Sequence, residues 1–249
     1  MAESLQFFDM SVQVTPPTGY MEPLPITLGP NWQPNDVRLV FVSTSGISGG
    51  ASLEMEMNPD PPTGFTAAYS LNPGFETHGV YYRRLQTGDS DSASVAWAKP
   101  TQWGHFMFGL VTVRGFSPTV NPTAGWLKLN QTAGDSTVVT TSVSVPSAGV
   151  MVLFAGSVPT PWGGSNIPSW AVSMGAPTGW TNLAATDKSG ATFYPYGTDS
   201  SIVIVGKTFN GAGSTGVVSF PTSRGSPAFS GLYVFCTPAA NVSATLTAA

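Results

Sequence analysis

The sequence predicts an all-β protein built as two tandem β-sandwich domains. Three observations carry this: a turn-rich composition, strand-type patterning with no helical stretch, and an internal repeat in constant order. The 249 residues include 28 Gly and 22 Pro, and only 9% are charged. Soluble domains usually hold roughly 25% charged residues and roughly 12% Gly plus Pro, so turns are in excess here and charged helix faces are scarce. Disordered chains also have few charges in some cases, but they lack apolar and aromatic residues. This chain is 41% hydrophobic, with 7 Trp and 14 Phe. It can bury a core. No helix-length window keeps a 3.6-residue period without Gly or Pro, and Glu54-Met55-Glu56-Met57 is too short for a helix.

The elements follow in order from local chemistry. Pro16, Pro17, Pro23, Pro25, Pro30 and Pro34 crowd the first segment, which predicts one strand, Ser11 to Thr15, and an extended arm after it. Beyond the turn Pro34-Asn35-Asp36, the run Val37 to Ser43 is β-branched and aromatic. Its centre, Leu39 to Val42, is apolar throughout, as in a strand covered on both faces. Val150 to Gly156 repeats that pattern after Pro146-Ser147-Ala148-Gly149. Pro62-Thr63-Gly64-Phe65 and Pro177-Thr178-Gly179-Trp180 form the next matched pair. Proline sets φ, glycine allows a positive φ, and the aromatic that follows can drop into the core. Trp180 has a sugar-contact alternative, but Phe65 at the matching place favours packing.

Gly79 to Arg84 then matches Ser201 to Val205, Val95-Ala96-Trp97 matches Val217 to Phe220, and Phe108 to Val113 matches Ser230 to Phe235. The spacing between partners drifts from 113 to 122 residues, as loops of different length produce. Ordered self-similarity of this kind predicts a tandem duplication. The join falls at residues 119–123, giving a first domain over 1–120 with a Pro-rich arm and a second over 121–249. Ser136 to Val145 reads as one strand with a wet face, and the small, polar stretch from Asn241 onward reads as a surface tail.

Charge narrows the partners. A net charge of −4 and a pI near 4.9, with the basic residues scattered along the chain, argue against nucleic acid, which needs clustered Lys and Arg. No apolar run approaches the roughly 18 residues that span a bilayer. Glu3 and Asp9 stand where a secretory signal would carry basic and then apolar residues, which predicts synthesis in the cytoplasm without export or membrane insertion. The single cysteine, Cys236, permits neither an internal disulfide nor a multi-cysteine zinc site, and within Leu232-Tyr233-Val234-Phe235-Cys236 it reads as a buried strand thiol.

The search for reactive constellations returns only isolated groups, so the expectation is a non-enzyme with no cofactor and no metal. His78 and His105 are the two histidines, and both read as packing residues. Glu54, Glu56, Asp60 and Glu76 are carboxylates with no spacing that sets two across a cleft. Gly88-Asp89-Ser90-Asp91-Ser92 offers oxygen ligands that could suit calcium but lacks a full twelve-residue loop, so it reads as a polar turn. Gly211-Ala212-Gly213 has no third glycine and no helix to support a nucleotide site. The loop Thr160 to Trp170 is the candidate contact surface: Trp162 and Trp170, with small polar neighbours, suit stacking on a sugar or on another protein. Packing against its own domain is the alternative for that loop.

Taken together, Ser142 to Gly156, Ala176-Pro177-Thr178-Gly179-Trp180 and Gly231 to Phe235 resemble the jelly-roll modules of tailed-phage virion proteins, which are common in minor tail proteins of phages infecting actinobacteria. The resemblance spans residues 35–118 and 137–238, with the acidic Glu54–Met57 insertion and the Pro-rich arm outside the shared pattern. It implies a structural virion protein at the tail or tail tip, with a capsid decoration or head-fibre role as one alternative. A pair of carbohydrate-binding modules for host-surface attachment is the other. The expected partners are other virion proteins and, since closed symmetric oligomers are the norm, further copies of the chain in a ring or trimer; the carbohydrate-binding reading, through Trp162 and Trp170, adds a host-surface glycan.

Overall fold

A computed structural model describes residues 3–15, 24–27, 31–46, 64–71, 76–89, 92–95, 104–127, 129–131, 137–158, 174–187, 201–222 and 228–248. These residues contain no helix, and the all-β class predicted from composition holds. The first half of the chain supplies β1 (Glu3–Thr15), β2 (Leu24–Thr27), β3 (Val37–Gly46), β4 (Thr66–Leu71), β5 (Glu76–Arg84), β6 (Ser92–Val95) and β7 (Gly104–Arg114). The second supplies β8 (Thr123–Leu127), β9 (Leu129–Gln131), β10 (Thr137–Thr140), β11 (Ser144–Val145), β12 (Gly149–Val158), β13 (Thr181–Asp187), β14 (Ser201–Phe209), β15 (Gly213–Ser214), β16 (Ser219–Pro221) and β17 (Ala228–Cys236). One more strand, β18 (Val242–Ala248), follows.

The two halves repeat one strand order. The large sheet of the first runs β4-β5-β3-β7-β1, and that of the second runs β13-β14-β12-β17-β8. Each edge strand carries a register shift at the same place, between Ala67 and Tyr69 in β4 and between Asn182 and Ala184 in β13. Both turns that precede these strands use glycine at positive φ, 81° at Gly64 and 78° at Gly179. At the second turn the Trp180 N–H donates to the Pro177 carbonyl, a four-residue turn whose third position demands that φ.

Register corrects part of the sequence pairing. Phe41 of β3 lies beside Val80 of β5 and Gly109 of β7, while Phe154 of β12 lies beside Ile204 of β14 and Leu232 of β17. Gly109 therefore corresponds to Leu232 rather than to Gly231, and Val80 to Ile204 rather than to Ile202. The first difference is one residue, which matters because a one-residue slip turns a strand's side chains to the opposite face. Met107, Val111 and Val113 share the main core with Leu232, Val234 and Cys236, whereas Phe235 faces a second core.

That main core lies between the two large sheets. Leu5, Phe7, Leu39 and Phe41 from the first half pack with Val152, Phe154, Ile204 and Val234 from the second. At the centre Phe41 and Phe154, matching residues of the two halves, stack with centroids 5.5 Å apart and planes 3° from parallel. Gly109 makes room for them, since a Cβ there would sit 2.8 Å from the Phe154 ring. The outer face of the second sheet packs through Met151, Leu153, Val203 and Phe235 against Val145, Val218 and Phe220. Val145 belongs to β11 and Phe220 to β16, and Val218, just before β16, accepts the Thr140 N–H of β10. Strands β3 and β12 thus bury both faces, as their unbroken apolar centres predict.

Three expectations are revised. The first strand starts at Glu3 rather than Ser11, and a bulge at Asp9, with φ of 48°, breaks the alternation that would have shown it. The run from Ser136 to Val145 is two strands, because residues 141–143 leave β10 for a different partner. There the Val143 N–H donates to Thr215 Oγ1 at 2.9 Å, and the Thr215 N–H donates to the Val143 carbonyl at 3.0 Å. Third, the stretch after Asn241 is strand β18, which pairs in parallel with β1 and so extends the first half's sheet.

Replacing either stacked ring, Phe41→Ala or Phe154→Ala, is expected to cost about 3–5 kcal/mol of stability. The double variant should lose less than the sum, because the rings share one contact. Urea unfolding of the four proteins measures this, and strict additivity would show that the rings do not interact.

Candidate functional site

Among the described residues, two clusters of polar and charged side chains stand out, one at the seam between the large sheets and one at an end of the first sheet. At the seam, antiparallel pairing of β3 with β5 sets Ser43 opposite His78. Ser43 Oγ and His78 Nδ1 lie 3.0 Å apart, Ser43 is fully buried, and His78 is 1% exposed. Trp126 of β8 stacks on the imidazole from the other half at 5.8 Å and 17°. A hydroxyl beside an imidazole is the start of a nucleophile–base pair. Here Trp126 covers the pair and burial encloses it, so the arrangement works as a hydrogen-bonded polar insert in an apolar interface. The sequence hid this, because Ser43 and Trp126 become neighbours of His78 only through cross-strand and cross-sheet packing.

The second cluster gathers four of the nine basic residues that lie scattered along the sequence. Pairings Val37↔Arg84, Arg38↔Arg83 and Gln6↔Arg114 bring Arg38, Arg83, Arg84 and Arg114 to one end of the first sheet. Arg114 donates to both oxygens of buried Asp36, at 3.2 and 2.9 Å, and to the Asn31 carbonyl at 2.9 Å, with its guanidinium over Phe8. Asp36 also accepts the Gln33 N–H at 2.7 Å, closing the turn before β3. Arg84 donates to the Ser117 carbonyl at 2.8 Å and lies over Phe116, which ties the link between β7 and β8 to the sheet. Arg38 is 1% exposed under Trp32, and Arg83 is ion-paired with Asp89. These guanidiniums hold the end of the sheet together.

Two sequence candidates take structural parts. Asp89 follows Gly88, whose φ is 92°, and uses its second oxygen to accept the Gln86 N–H at 2.8 Å, so it closes a turn. Trp180 is half-buried against the second core, meets Phe209 edge-on at 6.4 Å, and lies under the Lys207 ammonium at 5.7 Å. Phe65 is buried. Among the described residues, no group of three or more His, Cys, Asp or Glu could hold a metal ion.

Trp162 and Trp170 lie outside the described residues, as do Glu54, Glu56, Asp60 and Asp91. The ends of their segment are placed: β12 stops at Val158, paired with Ala228, and Met174 is buried in a bridge to Thr222. Ser157 also pairs with Ser201. The strand ends at Val158, Asp187, Ser201 and Ala228 therefore lie together at one end of the second sheet. Glu76 and His105 sit on β5 and β7, opposite Ser45 of β3. No family model, curated protein or solved structure matches this chain.

Burial pushes the Cys236 thiol far above its ordinary range. The unfolded thiol releases its proton above about pH 8.5 while the folded one keeps it. This group's stabilising contribution is therefore complete below that pH and is lost as pH rises, by about 1.4 kcal/mol per unit. Burial, and then the neighbouring Tyr233, raise Tyr69 as well, which adds a loss of the same sign above about pH 10. Urea unfolding at pH 8 and pH 10 should show a shallower decline for Cys236→Ala than for the native chain, and a thiol reagent should label Cys236 only on unfolding. Ser43→Ala is expected to cost about 1–3 kcal/mol in the same assay.

Proposed function

We propose that this chain is a structural protein of a tailed bacteriophage virion, at the tail or tail tip, which assembles with copies of itself and with neighbouring virion proteins. The observation that carries the reading is the pair of large sheets with one strand order, packed face to face into a shared core. Such a body leaves its function to sheet edges and to the connections at the sheet ends, where assembly contacts form on a rigid frame. The jelly-roll resemblance of residues 35–118 and 137–238 supplies the virion context. The chain is then made in the host cytoplasm and resides in the particle.

Host-glycan attachment through Trp162 and Trp170 is a second reading. It is favoured by the placement of that segment's two ends, with Val158 closing β12 of the second sheet and Met174 bridged to Thr222 beside β16. Mass spectrometry of purified virions is expected to detect the polypeptide, and its absence would overturn the structural assignment. Immunogold labelling should mark the tail; label on the head would replace the tail reading with capsid decoration. A host-cell binding assay with Trp162→Ala and Trp170→Ala together should show lost attachment if the glycan reading holds.

A further inference from the structure

We infer that β18 is an exchangeable strand: the groove that holds it also accepts β18 from a second copy of this chain. The inference stands on the geometry of this groove and does not require the virion reading. β18 leaves the second half after β17, crosses to the other large sheet, and pairs in parallel with β1 from Glu3↔Val242 to Phe7↔Ala248, with a register shift between Ser4 and Leu5. The groove is built from elements other than those that lead into β18. Leu246 fills a socket over Gly206 of β14, where a Cβ would lie 2.3 Å from its Cδ1, with Leu183 of β13 beside it. Val242 sits over Gly115, where a Cβ would meet its Cγ1 at 3.0 Å. The Leu246 N–H donates to Thr208 Oγ1 at 3.1 Å, and Ser4 Oγ lies 3.0 Å from Thr247 Oγ1 at the surface.

The two glycine sockets take the apolar side chains at the first and fifth residues of the strand, Val242 and Leu246. Identical contacts form whichever copy supplies the strand, so exchange changes little except the connection and the cost of association. The connection, residues 237–241, is held at its start by the Phe116–Pro238 bridge, leaving Ala240 and Asn241 as the segment that must redirect. A short tether gives its own strand an effective concentration of about millimolar. Exchange competes where copies are crowded to that level, and each transferred strand then joins two molecules by strand addition.

Full-length chains carrying Ser4→Cys and full-length chains carrying Thr247→Cys test this when mixed and oxidised. A chain with both substitutions is the reference and should close a disulfide within itself. The mixture is expected to give a covalent heterodimer whose yield rises with protein concentration, at least fivefold above that of a Thr181→Cys and Thr247→Cys mixture, which reports collisions. Adding Leu246→Asp to the donor chain should reduce the yield at least fivefold. If the reference closes but the mixture gives no more heterodimer than the collision control, β18 is a fixed internal clasp and the inference falls. An unchanged yield with Leu246→Asp would overturn it too, because the cross-link would then not report seating in the groove.

Discussion

The burial of two sheets against each other through Phe41 and Phe154 is the constraint on which the remaining structure depends. A strand as apolar as β3 or β12 cannot leave either face in water, since each buried large side chain contributes about 1.5–3 kcal/mol. In the second half one face is met by the small strand pairings, and the inner faces of both halves are met by each other. The stacked rings set how closely the sheets approach, and Gly109 supplies the clearance that approach requires.

Polar groups mark the borders of this interface. Ser43 and His78 satisfy each other where Trp126 covers the seam, and the Asp36–Arg114 pair closes the end of the first sheet. Both are buried enough that losing one partner leaves the other poorly solvated, which is why such groups come paired. The bridge between Phe116 and Pro238 joins the segments that leave β7 and β17, flanked by the Ser117 N–H donating to the Thr237 carbonyl and the Ala239 N–H donating to that of Gly115. The exits from the two halves thus brace each other. The bulges in β4 and β13 interrupt regular pairing on the edge strands, a device that discourages uncontrolled edge-to-edge association.

Much of the fold was legible in the chain because local chemistry dictated it. The positive φ at Gly64 and Gly179, the two-sided burial of β3 and β12, and the burial of Phe65 and Cys236 each follow from residue type and short-range pattern. The candidate site was far less legible. Four arginines spread from position 38 to position 114 meet only because antiparallel pairing sets their strands side by side. The cover of Trp126 over His78 likewise needs both halves in place.

The sequence by itself therefore determined the all-β class, the turn chemistry and the repeated order of elements, since these depend on neighbours along the chain. Tertiary structure alone decided which faces met, how β7 and β17 correspond, and where β18 went. Register is settled by packing across sheets, and a one-residue shift that is slight in an alignment reverses every side chain on a strand. Strand β18 gave no strong local signal, because its small, polar residues derive their order from two glycine sockets distant in sequence.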